Sequence, residues 1–481
     1  MKKKLRVLSL FLALVTLSGA AISCGSDAEP KETTNGDVTS ESAPDEYSFE
    51  SFPDYEFRVL NIKDIYSMHA VIDPGETNGD TLNDTQYNTV RALEDKTGIT
   101  WKETNVDIEN EFPATVSQMV LSGSDDYDLI YQNTRDYYTH MSQGFYYNLL
   151  DYSQVKLDAD WFVSSYNNFN TVAGKLGTAL GYSNLTIVDA TNCMIFNQTM
   201  AETLGLDLPY DLVREGKWTL DRLKEYCAKA ANLNGDENFN WKTDGKAVYG
   251  ISLRQNTGTR WVINCGEMIV ENNNGKLELT AGSQRFYDVC DKVASFLGTK
   301  DEGIAYYGNF DDNGDGSYIN CFERQRALFG DSEVAKANRM RQLDFNFGVL
   351  PLPKYDESQE RYYTTLSYPA SGISIPVTCK TPERSASIGD AINYLFYENV
   401  WDVFRGVTLE SKNLRNDDSI EMLAYILNSA YPEVYSEFSV GTDFFKEMST
   451  KLRNGDTSIA STFAMYEKQM KENIEKVNNG G

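Results

Sequence analysis

Asp311, Asn313 and Asp315 place oxygen donors at alternate positions of Asp311-Asp312-Asn313-Gly314-Asp315-Gly316-Ser317, with a glycine sixth. This is the first half of a calcium loop, in which oxygens at positions 1, 3 and 5 face a hard cation and glycine makes the sharp turn. The second half departs from it, because Phe322 stands at position 12 and Glu323 comes one residue late. The loop is a candidate for structural calcium, with an Asx-rich surface turn as the alternative. Asn232-Leu233-Asn234-Gly235-Asp236 is a weaker version, with Glu237 in place of the glycine, and suits a turn.

Other reactive chemistry is poorly supplied. The chain has two histidines, His69 and His140. Histidine metal sites, Ser-His-Asp triads and Cys-His dyads are therefore disfavoured. No G-x-S-x-G, G-x-x-x-x-G-K-[ST], H-E-x-x-H or G-x-G-x-x-G occurs, and acidic residues this numerous supply carboxylate pairs without implying glycoside hydrolysis. No catalytic residue is assigned. Aromatics are the richer resource: 6 Trp, 30 Tyr and 23 Phe, many in polar surroundings. Arg254-Gln255-Asn256-Thr257-Gly258-Thr259-Arg260-Trp261 sets a large ring among hydrogen-bonding side chains. Sugars are held in this way, with an aromatic face against a C–H-rich ring face and polar groups on the hydroxyls. The alternative is that Trp261 begins a buried helix beside an ordinary loop.

The 481 residues carry 44 Lys+Arg against 71 Asp+Glu, a formal charge of −27. Such a chain is long enough for about three domains. Its charge argues against nucleic acid and against electrostatic docking on an anionic membrane. Lys2, Lys3, Lys4 and Arg6 precede an uncharged, mostly apolar run over 7–22, which has the form of an export signal. It ends Ala21-Ile22-Ser23-Cys24-Gly25, similar to a bacterial lipobox, with Ala21 where Leu is commonest. The expected organisation is a lipoprotein signal peptide over 1–23, a lipidated (palmitoylated) Cys24, and a disordered acidic tether over 24–52. Between residues 25 and 50 there are eight acidic side chains against one lysine. Six cysteines remain in the body, widely spaced and without a CxxC, which favours buried free thiols over disulfides.

Beyond Phe52 the pattern alternates short strands with longer helices, which predicts an α/β fold. Strands are expected over Phe57–Ile62 and Tyr127–Tyr131, and helices over Thr85–Thr97 and Phe112–Leu121, each stopped by glycine (Gly98, Gly123). Thr219 can cap a helix burying Leu220, Leu223, Cys227 and Ala230. Thr381 can cap another, with Pro382 at its first position and Ile388, Ile392, Leu395 and Phe396 inside. Ile420, Leu423, Ala424 and Leu427 form a third stripe, so the C-terminal third is helix-rich.

Two ordered blocks then carry a resemblance. The first is Phe196-Asn197-Gln198-Thr199-Met200, Leu204-Gly205-Leu206 and the run from Leu208 to Thr219, which ends Lys217-Trp218-Thr219. The second is Arg326-Ala327-Leu328-Phe329-Gly330-Asp331, then Phe347-Gly348-Val349-Leu350-Pro351-Leu352-Pro353-Lys354-Tyr355 and Ser371-Gly372-Ile373-Ser374-Ile375-Pro376. Together with the lipobox they resemble the family 1 extracellular solute-binding proteins, lipoprotein receptors of ABC importers, often for sugars. Gln198 stands where the family usually has Lys.

The resemblance implies a Venus-flytrap fold with a hinge: lobe 1 from 53–182 plus 352–400, and lobe 2 from 186–348 plus 401–481. It implies a monomer, lipid-anchored on the outer face of a bacterial cell membrane, that delivers a small polar solute to an ABC permease. Carried over by position, it nominates Lys63, Asp64, Gln132, Asn133, Arg135 and Asp189 as ligand contacts, then Asn256, Trp261, Asp331 and Ser332. A secreted glycan-active enzyme and a surface glycan-adhesion module are the alternatives.

Overall fold

The computed structural model describes residues 47–231, 233, 235, 246–308, 317–340, 342–406, 409, 416–431 and 440–480. Cys24, the leader, most of the tether, and the loops bearing Asp311, Asn313 and Asp315 and Asn232 to Asp236 lie wholly or largely outside them. The chain divides into units Met1–Ser48 and Phe49–Gly481, and every element below belongs to the second. Within the second unit the Phe49 ring meets Tyr394 at 6.0 Å. Among the described residues no helix is long and apolar enough to cross a membrane.

Two sheets organise this unit. The first contains β1 (Tyr55–Ile62), β2 (Ile99–Val106), β3 (Leu129–Asn133) and β9 (Ser371–Ser374). The order is β9-β3-β1-β2, with β1, β2 and β3 parallel and β9 antiparallel to β3. The second contains β4 (Asn192–Asn197), β5 (Tyr249–Arg254), β6 (Ala305–Gly308), β7 (Ala327–Glu333) and β8 (Phe347–Leu350). Here the order is β8-β4-β7-β5-β6, with β5, β6 and β7 parallel. Each sheet with its covering helices is one lobe.

Local chemistry accounts for much of this. The helix Thr81–Thr97 starts where Asp80 accepts from the Leu82 and Asn83 N–H groups, four residues before the expected Thr85, and stops at Gly98 (φ 78°). A Cβ on Gly98 would stand 2.9 Å from the Pro53 backbone, so glycine serves both the left-handed turn and the close approach. Thr219 caps Leu220–Ala230 as expected, and Leu220, Leu223, Cys227 and Ala230 are buried. That helix lies so close to β5 that a Cβ on Gly250 would fall 2.4 Å from the Cys227 Cβ. All six body cysteines are buried and unpaired.

Three expectations need correction. The strand foreseen at Tyr127–Tyr131 runs from Leu129 to Asn133. Asp128, the residue after Tyr127, is held outside it by the Tyr55 hydroxyl (2.6 Å) and the Arg58 guanidinium (3.0 Å). The helix Asp417–Asn428 buries Ser419, Met422, Leu423 and Ile426, while Ala424 is exposed. It is rotated because the Ser419 hydroxyl turns inward to bond the Tyr210 hydroxyl at 3.0 Å. Thr381 precedes Pro382–Asn399, yet its hydroxyl accepts from Arg384 and caps no backbone N–H. Ile388, Ile392, Leu395 and Phe396 are buried there as foreseen.

Candidate functional site

Ligands of parallel α/β sheets lie beyond the carboxyl ends of the strands. Both lobes point those ends at one another. The loop after β1 presents Tyr66, and the segment after β7 carries the buried Lys336 (4% exposed), whose ammonium lies 5.7 Å from the Tyr66 ring centre. The loop after β2 brings Glu109, the turn after β3 brings Arg135, and the segment entering β9 brings Tyr368.

Tyr66 is held there by an unusual turn. Ile65 and Met68 form a bridge, with the Met68 N–H donating to the Ile65 carbonyl at 2.8 Å. Tyr66 (φ 55°) and Ser67 (φ 68°) are both left-handed. This is the geometry of a type I′ turn, normally built from Asn and Gly. Left-handed non-glycine residues cost about 1–3 kcal/mol each and gather at ligand clamps. Here the strain displays a tyrosine that is 47% exposed. The Asp64 carboxylate braces the loop by accepting from Ala70 N–H (2.8 Å) and Val71 N–H (3.0 Å).

Behind Tyr66 stands a polar relay. Its hydroxyl lies 3.3 Å from that of Tyr368, which donates to Glu109 Oε1 at 2.6 Å. Arg135 donates to Glu109 Oε2 at 2.7 Å and to the Ile108 carbonyl at 2.8 Å, with its guanidinium 4.7 Å from the Tyr368 ring centre. The Tyr368 hydrogen bond, aided by Arg135, holds the Glu109 carboxyl below its usual range. Burial, then the Glu109 hydrogen bond, push the Tyr368 hydroxyl up.

Asp189, only 1% exposed, accepts from His69 twice, from the backbone N–H at 2.7 Å and from Nδ1 at 2.8 Å. Burial disfavours the imidazolium, but the Asp189 carboxylate more than offsets this and His69 titrates above the usual histidine value. The His69 ring also meets Phe404 at 5.6 Å. Nearby, the Tyr182 and Trp401 rings lie 4.8 Å apart, joining the segments around 182–189 and 399–404.

The remaining nominees fall elsewhere. Lys63 is exposed, 4.0 Å from Glu111. Gln132 is buried within β3, where it accepts from the Tyr146 hydroxyl and from His140 Nδ1 at 2.9 Å. His140 is itself pushed down to about 4 by burial. Asn133 caps the helix Thr134–Ser142 through the Asp136 N–H. Asn256 is exposed in the turn after β5.

Trp261 corrects the expectation of a stacking ring. It is 0% exposed, its indole N–H bonds the Thr257 hydroxyl at 3.0 Å, and its ring packs on Phe296. The buried-helix alternative holds, since all of Gly258–Asn264 is buried. Asp331 is committed to Arg254 (2.8 and 2.9 Å) and to Arg260 at 3.6 Å, and the Ser332 hydroxyl to the Glu333 carbonyl. Thus Arg135, Asp189 and the loop held by Asp64 converge, while Tyr66, Glu109, Lys336 and Tyr368 had no sequence signal. The turn Ile65-Tyr66-Ser67-Met68 contains no Gly, Asn, Asp or Pro, and its Ser67 alone is a weak turn signal. Among the described residues one carboxylate–thiol cluster, Asp125, Asp128 and Cys379, has metal-ligand spacing. Arg58 already spans its carboxylates at 3.0 and 3.2 Å.

Two α/β lobes meeting at their strand ends, joined by segments that cross between them, define the two-lobed periplasmic-binding-protein fold. Solved structures agree. The cyclic α-maltosyl-1,6-maltose binding protein of Arthrobacter globiformis matches with TM-score 0.60 at 13% identity, covering 89% of this chain and 100% of that one. The GacH receptor of Streptomyces glaucescens, solved unliganded and with acarbose, matches with TM-score 0.57 at 12% identity, covering 87% and 99%. The galacto-N-biose-/lacto-N-biose I-binding protein of the ABC transporter of Bifidobacterium longum, in complex with lacto-N-biose, matches with TM-score 0.56 at 12% identity, covering 88% and 98%. These neighbours are binding proteins rather than enzymes. No protein-family model and no curated protein matches the chain.

Proposed function

We propose that this chain is an extracellular solute-binding lipoprotein that captures a sugar or oligosaccharide between its lobes and hands it to an ABC permease. The observation that carries this reading is Tyr66, an exposed ring on a strained turn where the strand ends of the two lobes face each other. A sugar face can lie on that ring while the Tyr368–Glu109–Arg135 relay meets hydroxyls. The sugar ligands of the structural neighbours support the same ligand class. Ligand touching both lobes favours the closed form by its differential affinity, and the closed form then docks on the permease as a monomer.

A thermal-shift screen of mono- and oligosaccharides tests this, since stabilisation rises with ligand concentration over the dissociation constant. Calorimetry of the best sugar should show saturable one-to-one binding with the sugar recovered unchanged. Tyr66→Ala should weaken that binding by about tenfold or more, equal to about 1.4 kcal/mol. Product formation would sink the reading, and unaltered affinity in Tyr66→Ala would remove the ring from the site.

The leader and Cys24 support a lipid anchor. Cells supplied with labelled palmitate should label the full chain, and Cys24→Ala should abolish the label. A wild-type chain that carries none would overturn the anchor.

A further inference from the structure

The relay behind Tyr66 has a direction, set by which groups can donate. Arg135 holds Glu109 Oε2 at 2.7 Å and Tyr368 holds Glu109 Oε1 at 2.6 Å. A carboxylate only accepts, so the single Tyr368 proton is spent on Glu109. Toward Tyr66, 3.3 Å away, the Tyr368 oxygen can only accept. The Tyr66 proton is thereby drawn inward, and the lone pairs of its oxygen are left toward the cleft.

Resting on the solute-binding reading above, we infer that Glu109, acting through Tyr368, makes the Tyr66 hydroxyl a hydrogen-bond acceptor toward ligand. The site then selects a solute that offers an O–H there, an uncharged polyol, over acceptor-only groups such as carboxylate or phosphate. Glu109 is a positioning residue in this scheme. The low Glu109 and high Tyr368 titration ranges keep both protonation states in place across the neutral range.

Glu109→Gln inverts the relay. Arg135 requires an acceptor, so it fixes the glutamine oxygen on its own side and turns the amide N–H toward Tyr368. Tyr368 is then free to donate to Tyr66, and Tyr66 to donate to ligand. Glu109 is largely solvent-accessible, with its side chain 45% exposed, so the variant should fold.

The test uses maltotriose with its monodeoxy and monodeoxyfluoro analogues in calorimetry, or the tightest neutral oligosaccharide of the screen if that is another. At one hydroxyl position, deoxy and fluoro analogues should lose about fivefold alike in the wild type, as expected for one hydrogen bond. Tyr66→Phe should erase that penalty, and Glu109→Gln should restore the fluoro analogue relative to the deoxy one. A wild type that binds the fluoro analogue at every position as tightly as the parent overturns the polarity, as does an unchanged pattern in Glu109→Gln. If no sugar saturates, the solute-binding reading fails, while the relay is still decided by tyrosine titration. The Tyr368 hydroxyl should ionise at lower pH in Glu109→Gln, and an unmoved titration overturns the relay.

Discussion

Replacing Arg254 with Met should destabilise the protein by about 3–5 kcal/mol, the usual cost of removing one partner from a buried ion pair. Arg254 is 4% exposed at the carboxyl end of β5. It donates to Asp331 at 2.8 and 2.9 Å, to the Asn192 amide oxygen at 2.7 Å, and to Glu333. The cation ties together three neighbouring strands, β4, β5 and β7. Without it Glu333 loses its guanidinium partner, and Asp331 keeps the Arg260 guanidinium at 3.6 Å as its cation and the Thr257 hydroxyl at 3.4 Å.

The pH dependence gives this prediction its sign. Burial pushes the Asp331 carboxyl up, but the Arg254 and Arg260 charges outweigh it and hold the group below its usual range. A depressed carboxyl contributes stability above its unfolded value of about 3.9, and that contribution is lost as pH falls through the folded value. In Arg254→Met the Asp331 carboxyl loses the first of those charges, burial raises it, and it gains by taking up a proton. Urea unfolding should therefore show a deficit that is full at pH 7 and narrows on acidification below about pH 5. A pH-independent deficit would mean that lost packing, rather than unpaired charge, is the cause.

Trp261→Ala should cost about 3–5 kcal/mol of stability, the range for a large aromatic removed from a core. The indole is sealed between Thr257 and Phe296, with no face toward the cleft. Calorimetry below the melting transition of the variant should give an oligosaccharide affinity within about twofold of wild type. A variant of normal stability that no longer binds would return Trp261 to the site. Together with Tyr66→Ala this is a double dissociation: one aromatic matters for folding, the other for binding.

These two tyrosine and tryptophan positions show why the site was only partly legible. Trp261 follows a polar run that looks like a sugar-binding loop, and nothing in its local sequence says that the helix N-terminus is covered. That covering comes from the helix Thr442–Arg453, where the Thr259 N–H meets the Ser449 hydroxyl at 2.9 Å, 190 residues away. Tyr66 carries no local signal because its turn is imposed against residue preference. Asp64, His69 and the buried Asp189 hold the loop from outside the turn itself. Gln132 and Asn133 missed because the strand runs two residues later than the apolar run suggests, which turns presumed loop residues into strand and cap.

Elements governed by short-range chemistry were readable in advance. Helix stops at Gly98 and Gly123, the cap at Thr219, and the burial of Leu220, Leu223, Cys227 and Ala230 follow from backbone conformation and a 3.6-residue period. The α/β class follows from strand–helix alternation, and the ordered blocks around Trp218 and Phe347 point to two lobes. Which side chains face the cleft is a different kind of information. Tyr66, Glu109, Tyr368 and Lys336 come from four separated stretches and meet only because two sheets present their carboxyl ends to each other. The same holds for Trp261 and Asp331, which have the right residue types but are taken out of solvent by long-range packing. Residue type sets what a side chain can do, whereas burial and hydrogen-bond partners, which are properties of the assembled fold, set what is left for it to do.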